Sequence, residues 1–273
     1  MDHTGSTFWT RRRRWWAAGG LVGLGLVAAA VAVEYRRGGR PDREALVLLR
    51  SPQDEARKLG AWLVAREHAP AALQFIAQTL DEQSETDAAV RESFVYALGR
   101  AGDPRFTEYV ARVLRRDPDA YVRQAAWVAV ARLDAARFRE LAAEIPPRPD
   151  AWDQLGRACA WLELGDLRGL DTLLGCAVAE DEQQRRVAAL ALYRGVAPLL
   201  EAAGRWPIQY VVQEGQPWPA EIVAEVRRRA AELDMDALAG DTRRHMAKAA
   251  LVRRNVWRLH HTRDRIAAYL FQR

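Results

Sequence analysis

Three short phrases recur along this chain: ALGRAGDPRF at residues 97–106, ARLDAARF at 131–138 and LELGDLRGL at 162–170. Each carries an acid with an Arg two or three positions on, and the acids, Asp103, Asp134 and Asp166, step by 31 and 32 residues. Self-similarity at a period of this size marks a repeat architecture, and it constrains the fold more tightly than any property of composition. The local chemistry reads as punctuation between two antiparallel helices. Asp103 can accept from the free N–H groups that open a helix. Pro104 suits a first helical position, where no N–H is needed. Gly102 can take the left-handed backbone that closes the helix before it.

A second register supports the first. Asp87 precedes Arg91 by four residues, Asp119 precedes Arg123 by four and Glu182 precedes Arg186 by four, while Asp150 heads a unit in which Gln154 stands where the Arg would be. These acids step by 32, 31 and 32 residues. Acid before base at this offset is the favourable order for an ion pair within one helix, so intrahelical pairs are expected. Val90, Phe94, Leu98, Val110, Val113, Val122, Ala126, Val130, Val187 and Leu190 fall at helical spacings and are assigned to the core. Trp62, Trp127 and Trp161 are assigned to the core or its margin. One helix pair cannot bury its own apolar face, but stacked pairs can, so the expected fold is all-α: a solenoid of helical hairpins over residues 46–203.

The pattern D-x-x-V-R followed by A-L-G-x-x-G-D-P-R, from Asp87 to Arg105, resembles HEAT and HEAT-like repeats of the phycobilisome-lyase type. The resemblance extends over about residues 46–200. Its earliest unit, near residues 54–80, has the helix pair without the acid-to-Arg offset. The segment AWDQLGRACAWLELGD also touches the tetratricopeptide pattern through Trp152, Leu155 and Gly156, but its next small residue is misplaced by two positions.

Residues 15–33 form an uncharged run of 19 residues after Arg11, Arg12, Arg13 and Arg14. About 20 apolar residues cross a bilayer as a helix, and Trp15 and Trp16 stand where interfacial aromatics collect. The expectation is a basic tail over 1–14, one transmembrane helix over 15–33 and a polar linker over 34–45. Ala30-Val31-Ala32 would suit a cleavable signal peptide, and the Arg run resembles a twin-arginine export signal. Arg36, Arg37, Arg40 and Arg43 immediately beyond the run favour an uncleaved anchor. Gly19 and Gly23 form a GxxxG pair that could join two such helices. With the Arg tail kept inside, the body lies outside, in a periplasm-like space. The abundance of Arg and Ala reads as a GC-rich bacterial coding bias, so the expected address is a bacterial inner membrane.

Residues 204–219, GRWPIQYVVQEGQPWP, break the helical pattern with two Trp-Pro pairs. Long irregular insertions often carry function, which makes Trp206, Tyr210 and Trp218 candidate partner-binding residues. Helix resumes over 220–273. Residues 241–273 hold nine basic and two acidic residues, so Arg253, Arg254 and Arg258 could meet an acidic partner or anionic lipid. Residues 34–218, by contrast, hold 25 basic and 28 acidic side chains, which argues against a nucleic-acid surface there.

Two cysteines exclude a disulfide framework and a Cys-based zinc site. The five histidines form no metal motif, and no catalytic or nucleotide-binding signature appears. No catalytic, cofactor or metal residue is therefore assigned. The expected function is a membrane-anchored, non-catalytic scaffold that binds a protein partner through its repeat surface. The resemblance implies two alternatives. One is an enzyme or cofactor-handling protein similar to the bilin lyases; the other is a nucleic-acid binder similar to HEAT-like alkylpurine glycosylases.

Overall fold

A computed structural model describes residues 41–202 and 218–234, together with 237 and 240. The described chain is helical, with no strand among the described residues. Helix α1 (Pro41–Leu49) packs beside the first hairpin, α2 (Asp54–Glu67) and α3 (Pro70–Asp81). Three further hairpins follow: α4 (Ala88–Ala101) with α5 (Thr107–Arg116), α6 (Ala120–Leu133) with α7 (Ala135–Glu144), and α8 (Ala151–Glu163) with α9 (Leu170–Cys176). The long α10 (Glu182–Ala202) and α11 (Ala220–Ala230) come next. The first helices of successive hairpins, α2, α4, α6 and α8, pack each on the next, which is the translational stacking of a solenoid.

The hairpin turns follow the sequence logic. Gly102 ends α4 at φ 67°, and Asp103 accepts from the Arg105 N–H to open a short 3-10 turn with Pro104 at its start. Gly165 and Asp166 repeat this after α8, with φ 71° at the glycine. Between α6 and α7 no glycine is present. There Asp134 alone ends one helix and caps the next, accepting from the Ala136 and Arg137 N–H groups.

Counted from the N-cap, the same four offsets are buried in α4 and α6: three, seven, eight and eleven. In α4 these are Val90, Phe94, Val95 and Leu98; in α6 they are Val122, Ala126, Trp127 and Val130; all are sealed from solvent. Full burial of a large aliphatic or aromatic side chain is worth about 1.5–3 kcal/mol, so a hairpin without a neighbour forfeits several such contributions. Two glycines let the first helices approach closely. A Cβ at Gly99 would stand 2.7 Å from the Ala129 Cα, and one at Gly156 would stand 2.8 Å from the Gln124 Cα.

Two boundaries differ from the sequence reading. The expected linker over 34–45 runs into α1, because Pro41 opens the helix and Ala45 and Leu49 are buried on one face. The last unit is shifted by one residue. Asp181, not Glu182, caps α10 by accepting from the Gln183 and Gln184 N–H groups. Accordingly Val187 and Leu190 are only half-buried, while Ala188, Ala189, Leu192 and Tyr193 fill the core. Trp127 is fully buried, and Trp62 and Trp161 are half-buried. The apolar interior divides into two clusters that meet at α8. One runs from Ala45 to Ala160, and the other gathers Trp152, Leu155, Leu162, Leu170 and Leu192 with Val226 of α11.

Candidate interaction surface

An arginine ladder runs along the edge where the first helices begin. The expected intrahelical pairs of Asp87 with Arg91 and Asp119 with Arg123 do not form. Each acid is consumed as an N-cap: Asp87 accepts from Val90, and Asp119 from Tyr121 and Val122. Each arginine instead reaches the neighbouring hairpin. Arg91 grips Asp117 with two bonds of 2.8 and 3.0 Å, and Arg123 reaches Asp150 at 3.1 Å. Arg57 makes the same two-pronged contact with Glu85, at 2.6 and 3.0 Å. Thus the earliest unit does carry the ladder, with Gln53 at its N-cap.

The inner prong is equally regular. Arg91 donates to the Thr86 carbonyl at 2.8 Å, Arg123 to the Pro118 carbonyl at 2.8 Å and Arg185 to the Glu180 carbonyl at 2.6 Å. The Arg91 and Arg123 guanidiniums therefore each pin the loop before their own helix while holding a carboxylate of the next loop. The planar fork of Arg suits this double task. The hydrogen bonds that Arg91 donates to Asp117 push its pKa above the ordinary value, against the opposing effect of burial.

The ladder stops after Asp150. Gln154 still pins its own loop, donating to the Arg148 carbonyl at 3.3 Å, but Ala179 stands where Glu85 and Asp117 stood. The expected Glu182–Arg186 pair is the one proposed register pair that forms within a helix.

The unit at Asp150 also breaks the apolar rule. Its offsets three and seven are Asp153 and Arg157, in the places of Val90 and Phe94. Asp153 is 1% exposed and accepts from the Trp127 indole N–H at 3.1 Å. Arg157 lies 4.4 Å from the Trp127 ring centre and donates to the Ala142 and Ile145 carbonyls. Those carbonyls belong to the C-terminal end of α7, which opens into the proline-rich loop after Glu144 and so leaves acceptors without intrahelical partners. Burial lowers the Arg157 pKa, partly offset by Asp153. Phe138 stacks edge-on between Trp127 and Trp161, with ring centres 5.9 and 4.6 Å away. This buried polar knot was not anticipated from sequence. The one available signal was the loss of apolar residues at offsets three and seven.

At the opposite edge, the turn acids are stapled to their own arginines. Arg105 bonds back to Asp103 at 2.6 Å and Arg168 to Asp166 at 2.7 Å, and these bonds hold both carboxyls below the usual range. Asp134 keeps only its cap, because Arg137 turns to Glu108, Glu140 and Glu144. Arg112 meets Asp81 at 2.5 Å and Arg115 meets Glu144 at 3.0 Å, so the second helices of neighbouring hairpins are joined by exposed ion pairs.

Of the proposed partner-binding residues, Trp206, Tyr210, Arg253, Arg254 and Arg258 lie outside the described residues, as do the basic segment 241–273 and the apolar run 15–33. Trp218 is half-buried against the second core cluster rather than displayed, and Pro219 beside it closes over Gly165. Both cysteines are free. Burial pushes the Cys159 thiol up to about 12 and raises Cys176, so both stay protonated at neutral pH and are poor nucleophiles. Among the described residues no group of His, Cys, Asp or Glu could hold a metal ion, and no helix is long and apolar enough to cross a membrane.

Stacked hairpins with a repeated inter-repeat bond define the class: an α-helical repeat protein. Residues 44–131 match the family described as HEAT repeats, so that stretch of the chain is HEAT-like. No curated protein matches the chain.

Proposed function

We propose that this protein is a membrane-anchored scaffold that presents a HEAT-like solenoid to a protein partner. The observation that carries the reading is a juxtaposition. A 19-residue uncharged run ends at Val33, and seven residues later a stack begins whose walls are polar and ion-paired. HEAT repeats commonly mediate protein–protein interaction, and stacked hairpins offer an extended wall for it. The run over 15–33 supplies the anchor, and the body stands on the periplasmic side of a bacterial inner membrane, because four contiguous arginines precede the run and resist translocation. No residue is assigned a catalytic or cofactor-binding role.

Protease added to spheroplasts tests the topology. Removal of the body, leaving a membrane-embedded fragment that contains the N-terminus, is the expected result. A fully protected body would overturn the orientation. Recovery of the whole chain in the soluble fraction would overturn the anchor.

A further inference from the structure

The first helix of the solenoid has one face that nothing in the described structure covers. Ala45 and Leu49 are buried against the first hairpin. On the opposite side, Arg43, Val47 and Arg50 stand at i, i+4 and i+7, a single stripe along the helix, and all three are exposed. Val47, at 38% exposure, and Val178, at 64%, are the exposed large apolar side chains among the described residues. The Arg50 guanidinium lies 5.3 Å from the Phe75 ring centre, which holds one cation at this end of the stack. Glu44 flanks the stripe.

The chain leading to this helix restricts what can cover it. Seven residues separate Val33 from Pro41, and they reach about 25 Å at most when fully extended. The segment adds Arg36, Arg37 and Arg40, with Glu34 as its acid. A body tethered this closely keeps its first helix within reach of the headgroups. We propose that the Arg43–Val47–Arg50 face of α1 docks on anionic lipid headgroups, seating the solenoid end-on at the bilayer with its far end directed away. The proposal rests on the anchor reading above. The two guanidiniums pair with lipid phosphates, and the Val47 side chain enters the interface between them.

The test uses the full chain with a benzoyl-phenylalanine photo-crosslinker at Val47 or, separately, at Val178. Each protein is reconstituted into phosphatidylcholine vesicles with or without phosphatidylglycerol. The expected result is retention after an alkaline carbonate wash, a phosphatidylglycerol adduct at Val47, and none at Val178. Each basic side chain near an anionic leaflet contributes about fivefold in occupancy. R43Q/R50Q should therefore lower the Val47 adduct about 25-fold, with an unchanged thermal melt. If the melt changes, R43Q alone supplies the comparison, with an expected loss of about fivefold. Release by carbonate would overturn the anchor and the docking together. Retention without a Val47 adduct, or with an equal adduct at Val178, would overturn the docking and leave the anchor standing. An adduct indifferent to phosphatidylglycerol or to R43Q would overturn the anionic-headgroup assignment.

Discussion

Replacing Arg91 with Gln should destabilise the body far more than an ordinary surface substitution. Arg91 holds Asp117 through two bonds of 2.8 and 3.0 Å and also donates to the Thr86 carbonyl at 2.8 Å. The Asp117 side chain is 7% exposed, so the change strands a nearly buried carboxylate. Losing one partner of a buried ion pair costs about 3–5 kcal/mol. Asp117 keeps the N–H of Asp119, at 2.9 Å, which places the expected loss near the lower end, about 3 kcal/mol. For a chain of this size that corresponds to a fall in Tm of about 6–12 °C, read by far-ultraviolet circular dichroism. D117N should cost about 1–2 kcal/mol, since an amide still accepts from Arg91. The double variant should cost less than the sum of the single variants by about 1–2 kcal/mol, because each removes the same contact. R186Q, which breaks the Glu182–Arg186 pair inside one helix, should cost no more than about 0.5 kcal/mol. An R91Q loss of less than about 0.5 kcal/mol, or coupling to Asp87 instead of Asp117, would refute the ladder as an inter-repeat bond.

Three further expectations concern other joints of the stack. G156A should destabilise by about 1–3 kcal/mol despite its gain in helix propensity, because the new Cβ would meet the Gln124 backbone at 2.8 Å; urea unfolding reads the change. Q154R combined with A179D should extend the ladder by one rung and stabilise the body by about 1 kcal/mol, whereas neither single change should, as thermal melts of the three variants would show. The third concerns pH. The Asp103 and Asp166 carboxyls are held below their ordinary values mainly by hydrogen bonds from Arg105 and Arg168. Their contribution is therefore complete above the unfolded value of about 4 and is lost as pH falls through the lower folded values. The wild-type Tm should thus drop more steeply below about pH 4 than that of D103N/D166N, whose amides keep the caps but do not titrate there.

Much of the architecture was legible because punctuation is local. Gly102, Asp103 and Pro104 specify a helix end and a helix start through their own backbone and side-chain chemistry, and the structure uses them in those roles. What joins one repeat to the next was less legible. An acid four residues before an arginine suits an intrahelical pair, and it suits equally a cap acid followed by an arginine that reaches outward. Only three-dimensional proximity to Asp117 or Asp150 decides. The segment DEQQRR shows the same ambiguity, since it holds Asp181 with Arg185 and Glu182 with Arg186 at one offset. Burial of Ala188 and Leu192 selects the first as the repeat register. Asp153 and Arg157 were hidden for a different reason. Charged residues are assigned outward by pattern, and nothing local reveals that the open end of α7 needs Arg157 as a donor. The candidate surface was legible as a wall of repeats, but five of its proposed contact residues fall outside the described chain and Trp218 turns inward.

Translational stacking is tested most directly by cysteine pairs joined with a cross-linker that spans one helix spacing of about 10 Å but not two. In a C176A background, D81C/R112C and E108C/R137C each place thiols on neighbouring hairpins, where the native side chains pair at 2.5 and 2.8 Å. D81C/R137C places them two hairpins apart. The stacked array predicts efficient closure of the two neighbouring pairs and none of the third. Equal closure of all three would mean that the helices gather about a common centre, and the stacked-hairpin account would be wrong.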